Sequence, residues 1–198
     1  DSDGDSVTLD SGVTVLIEND VPVLDDQAEP IELTVHEDAL EGGNPEGDEQ
    51  TTTAKFTFAQ LSGLVLAGAD TPLSFSLNLA TDGEGALHGT DTGLTQNGEP
   101  IIWQVVGDEL HGVVGEGAEA ETVFTLAEGD DGFVFTLLGN IDHGALDEGT
   151  GDDDTESLSL AGAFVATDSD GDSVTLDSGV AVLIENDVPV LDEQAGPI

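Results

Sequence analysis

Short runs in which apolar and polar residues alternate, separated by Gly, Asp, Asn and Pro, constrain the fold of this chain more than any other feature. Ile31-Glu32-Leu33-Thr34-Val35 alternates cleanly, and Val7-Thr8-Leu9 and Val13-Thr14-Val15-Leu16-Ile17 also read as strand. Successive side chains of a strand point to opposite faces, so a period of two marks a ribbon with one buried face. Further strands are expected over Ala54 to Phe58, Leu73 to Leu79, Ile101 to Val106, Glu121 to Leu126, Gly132 to Leu137, Ser157 to Val165 and Ser173 to Ile184. The clusters between them are the punctuation of turns. Only Phe58 to Leu66 suits a helical turn. Many short strands at this spacing predict an all-β sandwich.

The ends of the chain are duplicated. Asp168 to Ile198 repeats Asp1 to Ile31 with three substitutions: Ala181 for Thr14, Glu193 for Asp26 and Gly196 for Glu29. Asp1 aligns with Asp168, a period of 168 − 1 = 167 residues. Such spacing marks a tandem array cut out of phase. The expected division is residues 1–22 as the tail of a preceding repeat (last strand and the aspartate-rich loop before it), 23–189 as one complete repeat, and 190–198 as the linker or start of the next. A minimal immunoglobulin-like sandwich takes about 100 residues. The repeat therefore reads as a sandwich enlarged by an insertion within Asp82 to Asp154, or as two small β-modules. No linker-like segment splits the middle, which favours the first. Asp147 to Thr155 reads as a loop. Asn19-Asp20-Val21-Pro22-Val23, copied as Asn186 to Val190, marks the boundary between repeats. Proline lacks a ladder donor and stiffens the exit.

Charge narrows the function classes. Asp and Glu number 44 against one basic residue, Lys55, for a net charge of −43. A chain of this sign repels nucleic acid and anionic membrane surfaces. It also repels itself, and multivalent cations relieve that repulsion efficiently. No cysteine offers a disulfide or a thiolate ligand. No apolar run approaches transmembrane length, so direct membrane insertion is not expected. No signal peptide is visible, which says nothing about export in a chain that starts inside a repeat.

Two acidic motifs point to calcium. Asp168-Ser169-Asp170-Gly171-Asp172, copied as Asp1, Asp3 and Asp5 around Gly4, alternates aspartates about a glycine turn. Calcium takes six to eight oxygens at about 2.3–2.6 Å, and such a turn lets carboxylates converge. The order is not that of an EF-hand, because Gly171 precedes Asp172 and a strand follows. A solvated acidic turn is the plainer alternative. The second motif is Glu185-Asn186-Asp187-Val188-Pro189, copied as Glu18 to Pro22. Its Asn and Asp oxygens are expected to join Glu37 and Asp38 of the following repeat around a shared ion. A polar linker with Asx turns is the alternative.

Other residues carry less. His36, His88, His111 and His143 lack metal-ligand spacing. Asp142-His143 has no nucleophile signature beside it, so no enzyme is expected. Trp103 fits a strand and reads as core, with a sugar-stacking platform as the alternative. No Gly-rich phosphate loop leads from strand to helix.

On these residues the chain resembles the tandem extender repeats of giant repeats-in-toxin (RTX) adhesins, bacterial proteins exported by type I secretion. The matching stretches are Ala166 to Val174, Asn186-Asp187-Val188-Pro189, Val35-His36-Glu37-Asp38-Ala39-Leu40 and Ile141-Asp142-His143. The resemblance implies immunoglobulin-like or cadherin-like sandwiches joined end to end with calcium at the junctions. Asp168, Asp170, Asp172, Asn186, Asp187, Glu37 and Asp38 would then be ligands. It also implies an extracellular, monomeric spacer, tethered to the outer membrane through other parts of the protein and associated with adhesion and biofilm. Its partners would be adjacent identical repeats. The glycine-rich nonapeptide of the toxin β-roll is absent. A calcium-rigidified spacer is thus the leading expectation. The rivals are a carbohydrate- or protein-binding module built around Trp103, and a halophilic protein whose acidity manages hydration.

Overall fold

A computed structural model describes residue 16 and residues 18–43, 50–144 and 154–187. Among these, fourteen strands follow in order: β1 (Val23–Leu24), β2 (Ile31–His36), β3 (Thr53–Thr57), β4 (Val65–Leu66), β5 (Ser74–Leu77), β6 (Asp91–Gln96), β7 (Glu99–Val106), β8 (Glu109–Val114), β9 (Glu121–Gly129), β10 (Gly132–Leu137), β11 (Thr155–Ser159), β12 (Phe164–Thr167), β13 (Ser173–Thr175) and β14 (Val180–Glu185). A five-residue helix, α1 (Phe58–Ser62), and 3₁₀ turns at Glu37–Ala39 and Gly117–Glu119 complete the regular structure. The protein is an all-β sandwich. Within the described residues, no helix is long and apolar enough to cross a membrane.

The largest sheet runs β3-β10-β9-β8-β7-β6, antiparallel throughout. Five of its strands come from the segment between Asp82 and Asp154, so that segment builds the sandwich as well as lengthening it. Smaller sheets, β11-β14-β2 and β13-β12-β5, complete the fold with the two-stranded β1-β4. Phe164 of β12 joins the layers, its ring centroid 5.9 Å from Phe56 on β3 and 5.0 Å from Phe133 on β10. All three are fully buried. Each large apolar side chain buried in this way contributes roughly 1.5–3 kcal/mol. Trp103 is only 3% exposed and packs edge-on against Phe124. It is core, and offers no platform for a sugar.

Most expected strands form, with instructive differences. The expected strands at 157–165 and 173–184 each divide in two, at turns around Leu160–Ala163 and Leu176–Gly179. The helical expectation narrows to α1, held by a capping box. Gln60 N–H donates to the Thr57 hydroxyl, and Thr57 N–H donates to the Gln60 side chain. Strands β6 and β8 were not expected. Both contain a glycine, which on paper reads as a breaker. In β8, Gly112 lies under the Phe124 ring, where a Cβ would collide with it. The glycine there makes room for an aromatic. Residues 7–15 and 17, and most of the expected 147–155 loop, lie outside the described residues.

The C-terminal copy of the duplicated strand fills the centre of the β11-β14-β2 sheet. It pairs antiparallel with β11 and parallel with β2, from Val180 opposite Ile31 to Glu185 opposite His36. That register decides the site. It delivers Asn186 and Asp187 to the end of β2, where His36 leads into Glu37 and Asp38.

Candidate metal centre

Two groups of oxygens gather. The first is the aspartate loop after β12. Asp168 Oδ1 accepts the N–H groups of Gly171 (3.0 Å) and Asp172 (2.9 Å), and Asp168 N–H donates to the Asp172 carbonyl. The loop is tied to a second turn by Ser169 N–H donating to the Asp70 carbonyl at 3.2 Å. As a result carboxylate oxygens of Asp70, Asp168 and Asp170 lie within 4.8 Å of one another. Asp168 is 5% exposed, and its Oδ2 has no hydrogen-bond partner.

The electrostatics reflect this crowding. Burial pushes the Asp168 carboxyl up. The Asp170 side chain and the N–H groups of Asp172, Gly171 and Asp170 outweigh it and leave Asp168 below the usual range. Asp170 moves the other way, raised first by its hydrogen bond to Asp168, then by burial and the charges of Asp168, Asp70 and Asp172. The two share what only one can hold, as close carboxylates do.

The boundary segment sits on this loop. Asn19 Nδ2 donates to Asp172 Oδ2, and Asp20 Oδ2 accepts the Ala69 N–H at 2.7 Å. Gly68, at φ +66°, is packed so tightly beneath the Asp20 carboxylate that a side chain would displace it.

The second group forms at the far end of the β2–β14 pair. Glu37 and Asp38, in the 3₁₀ turn, are 4% and 3% exposed. Glu37 Oε1 accepts the Ile141 N–H at 2.6 Å and faces His143 Nε2 at 3.3 Å. Asp38 Oδ2 accepts from Gln50 Nε2 at 3.0 Å. Asp187 closes the group beside Glu37. Its carboxyl is raised to about 6 by burial first, then by the side chain of Asp38 and by the charges of Asp38 and Glu37. Asp38 Oδ1, Asp187 Oδ1 and Gln50 Oε1 are buried without partners. A cavity of about 230 Å³ lined by Glu37, Asn140 and Asp187 opens beside them.

Buried polar atoms without partners are rare and costly. Unpartnered oxygens in both groups fit a hard cation that takes oxygen ligands. Asp70, Asp168 and Asp170 would hold it in the loop; in the second group Asp38, Asp187 and Gln50 offer the unpartnered oxygens.

Of the expected ligands, Asp168 and Asp170 come together with Asp70, while Asp172 meets Asp168 through its backbone and takes Asn19 on its carboxylate. Glu37, Asp38 and Asp187 also meet, with Asn186 beside them, its N–H on the Asp154 carbonyl at 2.9 Å. The pairing differs from expectation: Asp187 meets Glu37 and Asp38 within the same expected repeat of residues 23–189, because β14 runs parallel to β2 and ends level with it. Asp1, Asp3 and Asp5 lie outside the described residues. Asp70 and Gln50 were not foreseen. Asp70 stands outside any acidic run and Gln50 follows Asp48-Glu49 as an uncharged residue, so only tertiary contact brings them in.

Asp142 has a different task. Its carboxylate accepts the N–H groups of Asn97 (2.8 Å) and Gly98 (2.7 Å) and the Thr95 hydroxyl (2.7 Å), capping the β6–β7 turn. The Gly98 N–H leads, followed by Thr95, in holding its carboxyl below the usual range. Lys55, the one basic residue, pairs with exposed Asp131 away from both groups. Such a surface pair is worth little.

Comparison with curated proteins and with solved structures finds no match. Residues 32–180, three quarters of the chain, match a family throughout, and the chain belongs to the family described as "Domain of unknown function (DUF5801)".

Proposed function

We propose that the chain is a calcium-rigidified extender repeat of a bacterial cell-surface adhesin, exported by type I secretion. In this reading it projects distal ligand-binding domains away from the outer membrane. The observation that carries the proposal is the meeting of boundary and loop. Asn19 and Asp20, duplicated at the other end as Asn186 and Asp187, lie against an aspartate loop whose buried Asp168 Oδ2 lacks a partner.

The physical cycle follows from the charge. Without calcium, carboxylate repulsion loosens the loop and the boundary segment resting on it. With calcium, the loop and segment are held together, and the angle between successive repeats stiffens. Buried Trp103 removes the feature on which a sugar-binding alternative rested. Small-angle scattering of a chain of successive repeats tests the proposal. Calcium should give a longer maximum dimension and a rod-like profile, and chelator should shorten and broaden it. Superimposable profiles in calcium and chelator would refute it. A glycan array separates the ligand-binding alternative, since a spacer should bind nothing on it.

A further inference from the structure

Asp20 and Asp187 are the same residue of the repeat, 187 − 20 = 167 positions apart, and the structure catches them doing two different things. Asp20 reaches forward: its Oδ2 accepts Ala69 N–H, while Asn19 beside it donates to Asp172 on the loop. Asp187 reaches back: the β14–β2 register carries it to the Glu37–Asp38 turn, where it lines the same cavity as Glu37 with its Oδ1 buried and unpartnered. Gly68 accommodates the forward engagement, since a side chain there would overlap the Asp20 carboxylate. Asp38, 3% exposed with Oδ1 unpartnered, and Gln50, with Oε1 unpartnered, receive the backward one.

We propose that in a tandem array one aspartate makes both engagements at once, closing the Asp38–Gln50 oxygen group of its own repeat and docking on the Ala69–Asp172 surface of the next. Asp20 takes the Ala69 N–H on Oδ2, while Asp187 leaves Oδ1 without a donor, so the two engagements compete for no donor. The Ala69 N–H belongs to the following repeat; Asp38 and Gln50 belong to the same one. Two oxygen groups at opposite ends of one repeat therefore become neighbours across each joint, linked through a single carboxylate. A hard divalent cation in either group would pull on the same residue, so filling one pre-positions it for the other. The proposal rests on the calcium reading above and adds that the two groups at a joint bind cooperatively. A repeat end without its neighbour is then an incomplete site.

The test is calcium titration by calorimetry on a two-repeat chain, residues 1–187 followed by 21–198. Three isosteric variants are compared: Asp38→Asn in the first repeat, Asp170→Asn in the second, and Asp187→Asn at the internal joint. The first should weaken directly only the first repeat's Asp38 group, and the second only the second repeat's loop. Asp187→Asn should weaken both groups at the joint by about tenfold or more, in the range of losing a group that supports a metal ligand. The outer loop and the outer Asp38 group should be unchanged. In the 198-residue chain itself, Asp20→Asn should weaken only the loop and Asp187→Asn only the Asp38 group. If the internal Asp187→Asn weakens a single group, the sharing is overturned while the calcium spacer stands. If the two-repeat chain binds no calcium, both fall. Circular dichroism melts in chelator confirm that each variant is folded.

Discussion

Removing calcium is the perturbation that bears hardest on this reading, and the structure sets the scale of its effect. Two oxygen groups, at Asp70–Asp168–Asp170 and at Asp38–Asp187–Gln50, hold unpartnered buried atoms. Extracellular modules bind calcium with dissociation constants of about 10⁻⁴ to 10⁻³ M. At tenfold excess over such a constant, each occupied site adds about 1.4 kcal/mol. Two independent sites then give about 2.8 kcal/mol, a sizeable part of the 5–15 kcal/mol typical of a domain. A folded unit of roughly 150–250 residues shifts by about 2–4 °C per kcal/mol, so the expected rise in Tm is about 6–11 °C. Trp103, the chain's one tryptophan and 3% exposed, provides the assay. Its emission should shift to the red as the core opens, and calcium should move that transition upward, reversibly on adding chelator. Sodium chloride at equal ionic strength should recover only a small part of the shift, because screening is not coordination. Identical melts in calcium and chelator would refute the reasoning. Equal stabilisation by sodium chloride would instead favour a protein whose acidity manages hydration.

The other predictions concern single residues. Gly112→Ala places a Cβ against the Phe124 ring and should cost about 1–3 kcal/mol, read from the denaturation midpoint, with Phe124→Leu recovering part of it. In chelator, the favourable contribution of protonated Asp187 should be fully present below its ordinary value of 3.8. It should be lost as pH rises through about 6, since the folded value is raised; Asp187→Asn should remove this slope. Calcium affinity should correspondingly fall as pH drops through about 6, measured by titration at several pH values. Asp142 runs opposite: its lowered value adds stability above 3.8 that is lost as pH falls, so Asp142→Asn should flatten the acid limb of the stability curve.

Much of the architecture follows from local pattern. The alternation at Ile31–Val35 predicts β2, and similar runs predict β3, β7, β9 and β10 of the largest sheet, because a period of two permits one buried face and little else. The near-identity of Asp1–Ile31 and Asp168–Ile198 is a fact of sequence alone, and it is what raises the expectation of a repeat with Asn-Asp at its boundary. The acidic motif around Gly171 shows where carboxylates converge, since residues that close along the chain meet however the rest folds.

Long-range choices are a different matter. Gly112 reads as a break until the Phe124 ring is found where its side chain would be. Asp70 reaches the loop through a turn nearly a hundred residues away in sequence, and Gln50 enters the second group only by hydrogen bonding to Asp38. Above all, β14 could be matched to β2 in either direction and from either copy of the repeat. The parallel pairing of the C-terminal copy carries Asp187 to Glu37 and Asp38 within the same expected repeat. Local residue order specifies which groups are charged and where the chain turns. Which of those charges share a buried space depends on strand register, and register is settled by packing across the whole sandwich.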